Sequence, residues 1–309
     1  MILKILNLLK KDLNTKQIID IKSLIGKNIL IEKRNNYLNY SNINDAEEKI
    51  FSQNGEDGIL DFILEKIKIP EPRFVEIGVE DYIESNTRLI YEIRNSEGLI
   101  IDQKINQKKL SKNLDLWKGR LKILEANVNS ENINDLLNKK GFDKNIDIFS
   151  IDIDGIDYWV LEKLPEKFSK ICVAEYNPLF GHIHKITVPN KNNFNRTNYH
   201  YSNLCWGTSI KALIDLMEYK KFIFLGTNKF KNNAFFVSDD YYEIFKEIKP
   251  NDNNLNIYVD HKFMESRNKK KKLTYLDRNE QLREIKKCEI IDLNSKSKNK
   301  ITIEKLFNI

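Results

Sequence analysis

The sequence predicts a doubly wound α/β domain, a mostly parallel, Rossmann-like sheet of seven strands with helices on both faces. Three observations point there. Short apolar runs of strand length alternate with amphipathic segments of helical period from Phe74 to Thr227. Four of the runs end in an acid, at Glu76, Asp102, Asp152 and Glu175. The alternation closes on two neighbouring apolar runs joined by a short turn, Phe222–Thr227 and Asn233–Val237, which read as a hairpin.

Taken in order, residues 1–46 form an N-terminal helical extension, 47–240 the α/β domain, and 241–309 a basic C-terminal accessory region. Phe51–Gly58 opens a helix over Ile59–Ile67, whose apolar residues recur at Ile59, Leu60, Ile63, Leu64 and Ile67, and Pro70 and Pro72 stop it. The first strand is Phe74–Glu80, followed by a helical segment at Ser85–Arg94. Gly98–Asp102, Lys122–Asn127, Asp147–Asp152 and Ile171–Glu175 are the next four strands, and Ser209–Glu218 is the helix before the hairpin. Pro178–Gly207 breaks the alternation. A connection so long in a compact domain suits a lid or substrate loop. Beyond Asp240 come a helix and strand-like pieces at Leu273–Leu276, Glu289–Leu293 and Ile301–Ile303.

The 309 residues carry a formal charge of +6, from 51 basic and 45 acidic side chains. The excess sits at Lys269–Lys272 and Lys286–Lys300, where no aromatic residues interleave, so a solvated tail fits better than a nucleic-acid surface. Cys172, Cys205 and Cys288 form no paired spacing and read as reduced thiols of a cytoplasmic protein. Met1–Lys11 is amphipathic but too short and too charged for a signal peptide or a membrane span, and is expected to pack on this chain or a partner. Self-association is left open.

The acids at the strand ends lie where open α/β sheets bind ligands. In Glu76-Ile77-Gly78 the glycine would let the backbone approach a ligand, and Asp102, closing the next strand, would accept ribose hydroxyls. Glu80 and Asp81 in the following turn would repel a pyrophosphate, which argues against NAD or ATP and favours a cationic sulfonium cofactor. The alternative leaves Glu76 and Asp102 as strand-end residues without a ligand. Gln53, Glu56 and Asp57 either fold over the cofactor or cap the helix that follows.

Asp152 and Asp154 would point the same way on a continuing strand; the alternative makes both of them turn residues, with Asp157 capping the next helix. Together with Glu175 and Asn177 they form a hard-oxygen set suited to Mg²⁺ or Ca²⁺, which would acidify a substrate hydroxyl. The plainer alternative has Asp152 alone positioning donor and acceptor. His182 and His184 share one side of an extended segment but lack a third soft ligand nearby. His200, beside Trp206, is the candidate general base, or else a loop histidine bonded to backbone. Tyr199, Tyr201 and Trp206 would stack on sugar faces or pack the lid.

Phe51–Gly58, Phe74–Thr87, Ser150–Leu164, Glu175-Tyr176-Asn177-Pro178 and Gly226–Phe236, in that order, resemble the FkbM-like S-adenosylmethionine-dependent methyltransferases, in the branch found among bacterial surface-glycan genes. The resemblance runs from about Glu47 to the C-terminus. It implies a class I methyltransferase fold, with Glu76 and Gly78 in the cofactor loop, Asn86 and Asn127 beside the cofactor, Asp102 on its ribose and Asp152 near the methyl group. The chain departs from the family's E-x-G-x-x-x-G at Tyr82, which stands at the later glycine. The expected function is O-methylation of a sugar or glycan precursor of a bacterial surface polysaccharide, with S-adenosylmethionine as cofactor and Mg²⁺ as a candidate ion. Two rivals stand beside it. The Asp152-Ile153-Asp154 pattern matches metal-dependent glycosyltransferases, and Glu80 with Tyr82 would suit a non-catalytic descendant that binds a partner.

Overall fold

The computed structural model describes residues 15–250, 255–261, 265–294 and 298–309; the segment Met1–Lys11 lies outside them. Its strands are β1 (Arg73–Ile77), β2 (Glu97–Asp102), β3 (Leu121–Glu125), β4 (Ile148–Ile151), β5 (Ile171–Glu175), β6 (Ile186–Thr187), β7 (Phe222–Thr227), β8 (Asn233–Ser238), β9 (Glu289–Asp292) and β10 (Asn299–Thr302). Seven of these form one sheet in the order β3-β2-β1-β4-β5-β8-β7. The first five are parallel, and β8 runs antiparallel to both β5 and β7. This is the doubly wound, mostly parallel sheet that the sequence predicts.

Alternation along each strand divides the core between the two faces of the sheet. In β1, Phe74 joins one apolar cluster while Val75 and Ile77 join the other; in β5, Ile171 and Val173 separate likewise from Cys172 and Ala174. A sheet buried on both faces needs apolar side chains on both, which is why its strands read as near-continuous apolar runs. Helices α1 (Thr15–Arg34), α2 (Glu56–Lys66), α3 (Arg88–Ile93) and α4 (Gln107–Asn113) precede β3; α5 (Ile133–Lys140), α6 (Asp157–Lys163), α7 (Arg196–Tyr199) and α8 (Ile210–Tyr219) come before the hairpin; α9 (Tyr242–Phe245), α10 (Arg278–Glu284) and α11 (Ile303–Phe307) end the chain. Helices α2, α3, α4 and α9 cover one face, and α5, α6 and α8 cover the other.

The N-terminal helix is tied on by Asp61, whose buried carboxylate accepts from Arg34, Arg94 and Tyr37 at 2.6–2.9 Å. Burial works against the charge there, but the two guanidinium groups outweigh it and hold the carboxyl below its ordinary value. Near the other end, β9 pairs with β10 and with β6, forming a small antiparallel sheet. Since β6 belongs to the segment 178–207, that segment is joined to the C-terminal region by strand pairing.

Several boundaries differ from the sequence reading. β1 stops at Ile77, not Glu80, and β4 at Ile151, not Asp152, because the chain must turn over the sheet edge there. Helix α3 starts at Arg88, not Ser85, since residues 85–87 are held as a turn by Glu76. The expected strand at Leu273–Leu276 is reduced to one isolated bridge between Leu273 and Arg267. No helix among the described residues is long and apolar enough to cross a membrane.

Candidate functional site

β1 and β4 are neighbours from which the chain winds in opposite directions, so a crevice opens at their carboxyl ends. Gly78 sits in it with φ +85°, and a Cβ at this position would lie 1.6 Å from the Asp152 carbonyl oxygen. Only glycine admits both the backbone angle and the approach of the two strand ends. Glu76, just before it, is buried and points its carboxylate at the next turn, accepting from the amides of Asn86 (2.8 Å) and Thr87 (2.9 Å) and from the Thr87 hydroxyl. Burial raises its pKa, opposed by those donors. Asp102 accepts from the amides of Glu80 (2.8 Å) and Lys104 (3.1 Å), joining the ends of β1 and β2.

Tyr82, at the position where the family pattern has glycine, takes the left-handed angle that glycine would take, with φ +56°. Its ring is wholly buried, its hydroxyl pairs with Thr87, and it is not on the wall of the crevice. The departure from the pattern therefore fills the core beneath the loop and leaves the crevice open.

The crevice is a cavity of about 850 Å³. Carboxylates dominate its wall: Glu76, Asp102, Asp152 and Glu175 at the strand ends, Glu80, Asp81 and Glu84 in the first loop, with Asp154 and Glu265. Lys104 and Arg196 are the cations among the described residues of that wall. In a chain with net charge +6, this is a local reversal of sign that favours a cationic occupant.

The most acidic part is formed by Asp152, Asp154 and Glu175, whose carboxylate oxygens lie within 4.8 Å of one another. They meet through a left-handed residue at Asp154 (φ +54°), not through strand alternation, since β4 has already ended. Enclosure by neighbouring atoms, and then the charge of Asp154, push the Asp152 carboxyl up to about 8. Burial and the charges of Asp152 and Asp154 push Glu175 well above its ordinary value. Arg196 answers Asp154 at 2.6 Å. Asp157 does not cap its helix as expected. It lies inside the first turn, accepts from the amides of Ile153 and Gly155, and so holds the acidic loop in place.

The four-ligand metal set does not assemble. Asn177 spends its amide on the lid, accepting from the Leu179 amide and donating to the carbonyls of Leu204 (3.0 Å) and Trp206 (2.9 Å). With Arg196 already on Asp154, the donor set expected for Mg²⁺ is incomplete, and no chemistry is derived through a metal.

The other expected residues divide between the wall and the interior. Gln53, Asn86, Asn127 and Trp206 line the cavity, and so does Asn203 from the same segment as Trp206. Glu56 and Asp57 do not: Glu56 accepts from Asn54, Asn228 and Asn233, and Asp57 accepts from the amides of Ile50, Phe51 and Ser52. Both carboxylates are wholly buried and hold loops. His200 also faces elsewhere. Its ring lies 4.3 Å from that of Tyr201, its Nδ1 pairs with the Ser202 hydroxyl at 2.7 Å, and burial lowers its pKa. Tyr199 bonds the Glu289 carbonyl and Tyr201 the Glu284 carboxylate, so these rings pack the lid onto the C-terminal region. His184 packs on Phe307, and neither it nor His182 joins a metal-like cluster among the described residues. Arg196, Glu265 and Gln281 were missed by the sequence reading, because no motif marks them and only tertiary contacts bring them to the wall; Asn233 was read only as the start of a strand.

No family model and no curated protein matches the chain. Among solved structures it is similar to the fibrillarin/Nop5p complex, at 12% identity over 55% of this chain and 73% of that one, with a TM-score of 0.34. It is similar to the pyocyanin biosynthetic protein PhzM, at 12% identity over 57% and 53%, TM-score 0.35. A putative O-methyltransferase from Klebsiella pneumoniae shares 10% identity over 75% and 94%, TM-score 0.36. No property of this chain follows from likenesses of that size.

Proposed function

We propose that this chain is an S-adenosylmethionine-dependent O-methyltransferase acting on a sugar or glycan precursor. The observation that carries the reading is the acidic cavity at the β1/β4 switch point, with Gly78 bringing backbone close and Asp102 closing β2. Its wall lacks the glycine-rich, positively poised turn that a pyrophosphate needs, and Glu80 and Asp81 occupy the loop instead. A sulfonium cofactor brings positive charge and no phosphate, and its ribose hydroxyls are donors suited to Asp102. Each Asp102 oxygen holds one backbone amide and retains a lone pair for such a donor.

The cofactor, when bound, supplies a methyl group on a positively charged sulfur. The rest of the work falls to this chain. Gln53, Asn86 and Asn127 line the cavity, with the amide nitrogen of Asn86 held by Ser150 and that of Asn127 by Asn192 and Asn193. Asp152 lines it as well, where an acceptor hydroxyl would be aligned in line with the methyl carbon. Asp152 would hold the acceptor hydroxyl and take up its proton as the oxygen accepts the methyl group that the cofactor would supply. A carboxyl pushed up to about 8 is a far better proton acceptor than an ordinary aspartate. The role expected of His200 thus passes to Asp152, which lines the cavity.

Thermal stabilisation separates the rivals. S-adenosylhomocysteine is expected to raise the melting temperature, and a sugar nucleotide with Mn²⁺ is expected to leave it unchanged. The reverse pattern would favour the glycosyltransferase reading, and no shift with either would favour a partner-binding role.

A further inference from the structure

Helix α1 carries two apolar faces. One lies on the domain: Leu30 is wholly buried, Ile19 packs against the cluster of Ile50, Phe51 and Leu89, and a Cβ at Gly26 would lie 2.6 Å from the Ile50 side chain. Those contacts fix the rotation of the helix, and Arg34 holds its last turn to Asp61. The other face points outward. Ile18, Ile21, Leu24, Ile25 and Ile31 are 46–61% exposed, and at about 3.6 residues per turn they fall within an arc of about 140°.

Two more exposed apolar side chains stand at the ends of the same helix. Leu38 (87%) follows its C-terminus, and Trp117 (82%) belongs to the loop that the Lys16–Asp115 ion pair, at 3.0 Å, ties to its first turn. Single exposed apolar residues are ordinary, whereas a stripe about 20 Å long on a fixed helix calls for a cover.

The charges around the stripe decide what the cover is. Residues 1–34 hold eight Lys or Arg against three Asp or Glu. Lys22, leaning on the Phe51 ring at 4.4 Å, borders the stripe on one side, and Lys27 borders it on the other. Asp20, beside Lys27, is paired with Lys16 at 3.3 Å, and Glu32, in the last turn, is the stripe's one acid. A second copy laid on this face would bring the same lysines onto these. Residues 1–11 would bring three more, Lys4, Lys10 and Lys11. A bilayer with anionic headgroups meets both demands, since acyl chains take the Ile and Leu side chains while headgroups pair with the lysines that rim them.

We propose that the outward face of α1 is a docking surface for an anionic lipid bilayer, on which the helix lies in the plane of the headgroups. The proposal is independent of the methyltransferase reading, because none of these residues lines the cavity.

The test is co-sedimentation of the full chain with vesicles of phosphatidylcholine alone and of phosphatidylcholine with about a third phosphatidylglycerol. Binding to the anionic vesicles is expected to exceed binding to the neutral ones by about tenfold or more, and to weaken as salt rises from about 0.05 to about 0.5 M. Leu24→Ser with Ile25→Ser should cut partitioning about tenfold or more, and Lys27→Gln about fivefold. Melting temperature should stay unchanged in both variants, because all three side chains are exposed. Partitioning untouched by the double variant would overturn the proposal by assigning lipid binding elsewhere, and so would equal binding to both kinds of vesicle. No binding to either would overturn it too, and sedimentation of the free chain would then identify the cover. A dimer that the double variant dissolves means a second copy, and a monomer leaves residues 1–11.

Discussion

The two walls of the cavity spend their polar groups in opposite ways. On the β1–β2 wall, Glu76 is saturated by Asn86 and Thr87, and Asp102 braces Glu80 and Lys104. On the wall made by β5, β8, the lid and α10, Glu175, Asn203, Asn233 and Gln281 leave acceptors unpaired. Glu76 and Glu175 make the contrast plain, since both are buried acids at parallel strand ends. The first is fixed by backbone donors and shapes a loop, whereas the second is crowded by other acids. Saturated groups hold a binding site rigid.

Three substitutions sharpen or break this contrast. The largest effect is expected at the junction of the walls, where Asp152→Asn should lower kcat by about 10²–10⁴-fold, as loss of a general base does. Unmodified protein should gain activity with rising pH through about 8, and the variant should be flat. The sign for stability is opposite. A carboxyl raised from 3.8 to about 8 binds its proton more tightly folded than unfolded, so its contribution is fully present below pH 3.8 and is lost as pH rises through about 8. Melting temperature measured over that range should fall more steeply in the unmodified chain than in Asp152→Asn. Equal slopes would mean that the Asp152 carboxyl is not displaced.

Next comes Glu76→Ala, which strands two buried amides and a hydroxyl. It should cost about 3–5 kcal/mol in denaturant unfolding, by analogy with removal of one partner from a buried charged network. A loss below about 1 kcal/mol would mean that the first wall is not held as described. The smallest effect on binding is expected from Tyr82→Gly. Stability should fall by about 3 kcal/mol, because a buried ring is lost. S-adenosylhomocysteine affinity should stay within about twofold, under 0.5 kcal/mol, since the ring does not line the cavity. A tenfold change would place Tyr82 in the site.

The same contrast explains what is legible in the sequence alone. Gly78, Asp102 and Asp152 were legible because each sits at the end of an apolar run, and strand ends in such sheets face the ligand by topology. Gln281 was not, since α10 is brought to the cavity by the pairing of β6 with β9 and the grip of Arg278 on the start of the lid. Asn177 looked like a metal ligand by position, but its amide is what three backbone groups of the lid require. His200 drew attention as a titratable group in a long loop, yet a ring's direction there depends on Ser202 and Tyr201, which composition does not reveal.

The most direct measurement is calorimetric titration of S-adenosylhomocysteine into the unmodified chain and into Asp102→Ala. Binding is expected for the first, and a loss of about 1.5–3 kcal/mol for the second, since a charged acceptor of ribose hydroxyls is removed while the fold persists. Equal affinities would take Asp102 out of the site, and no binding to the unmodified chain would contradict the methyltransferase reading itself.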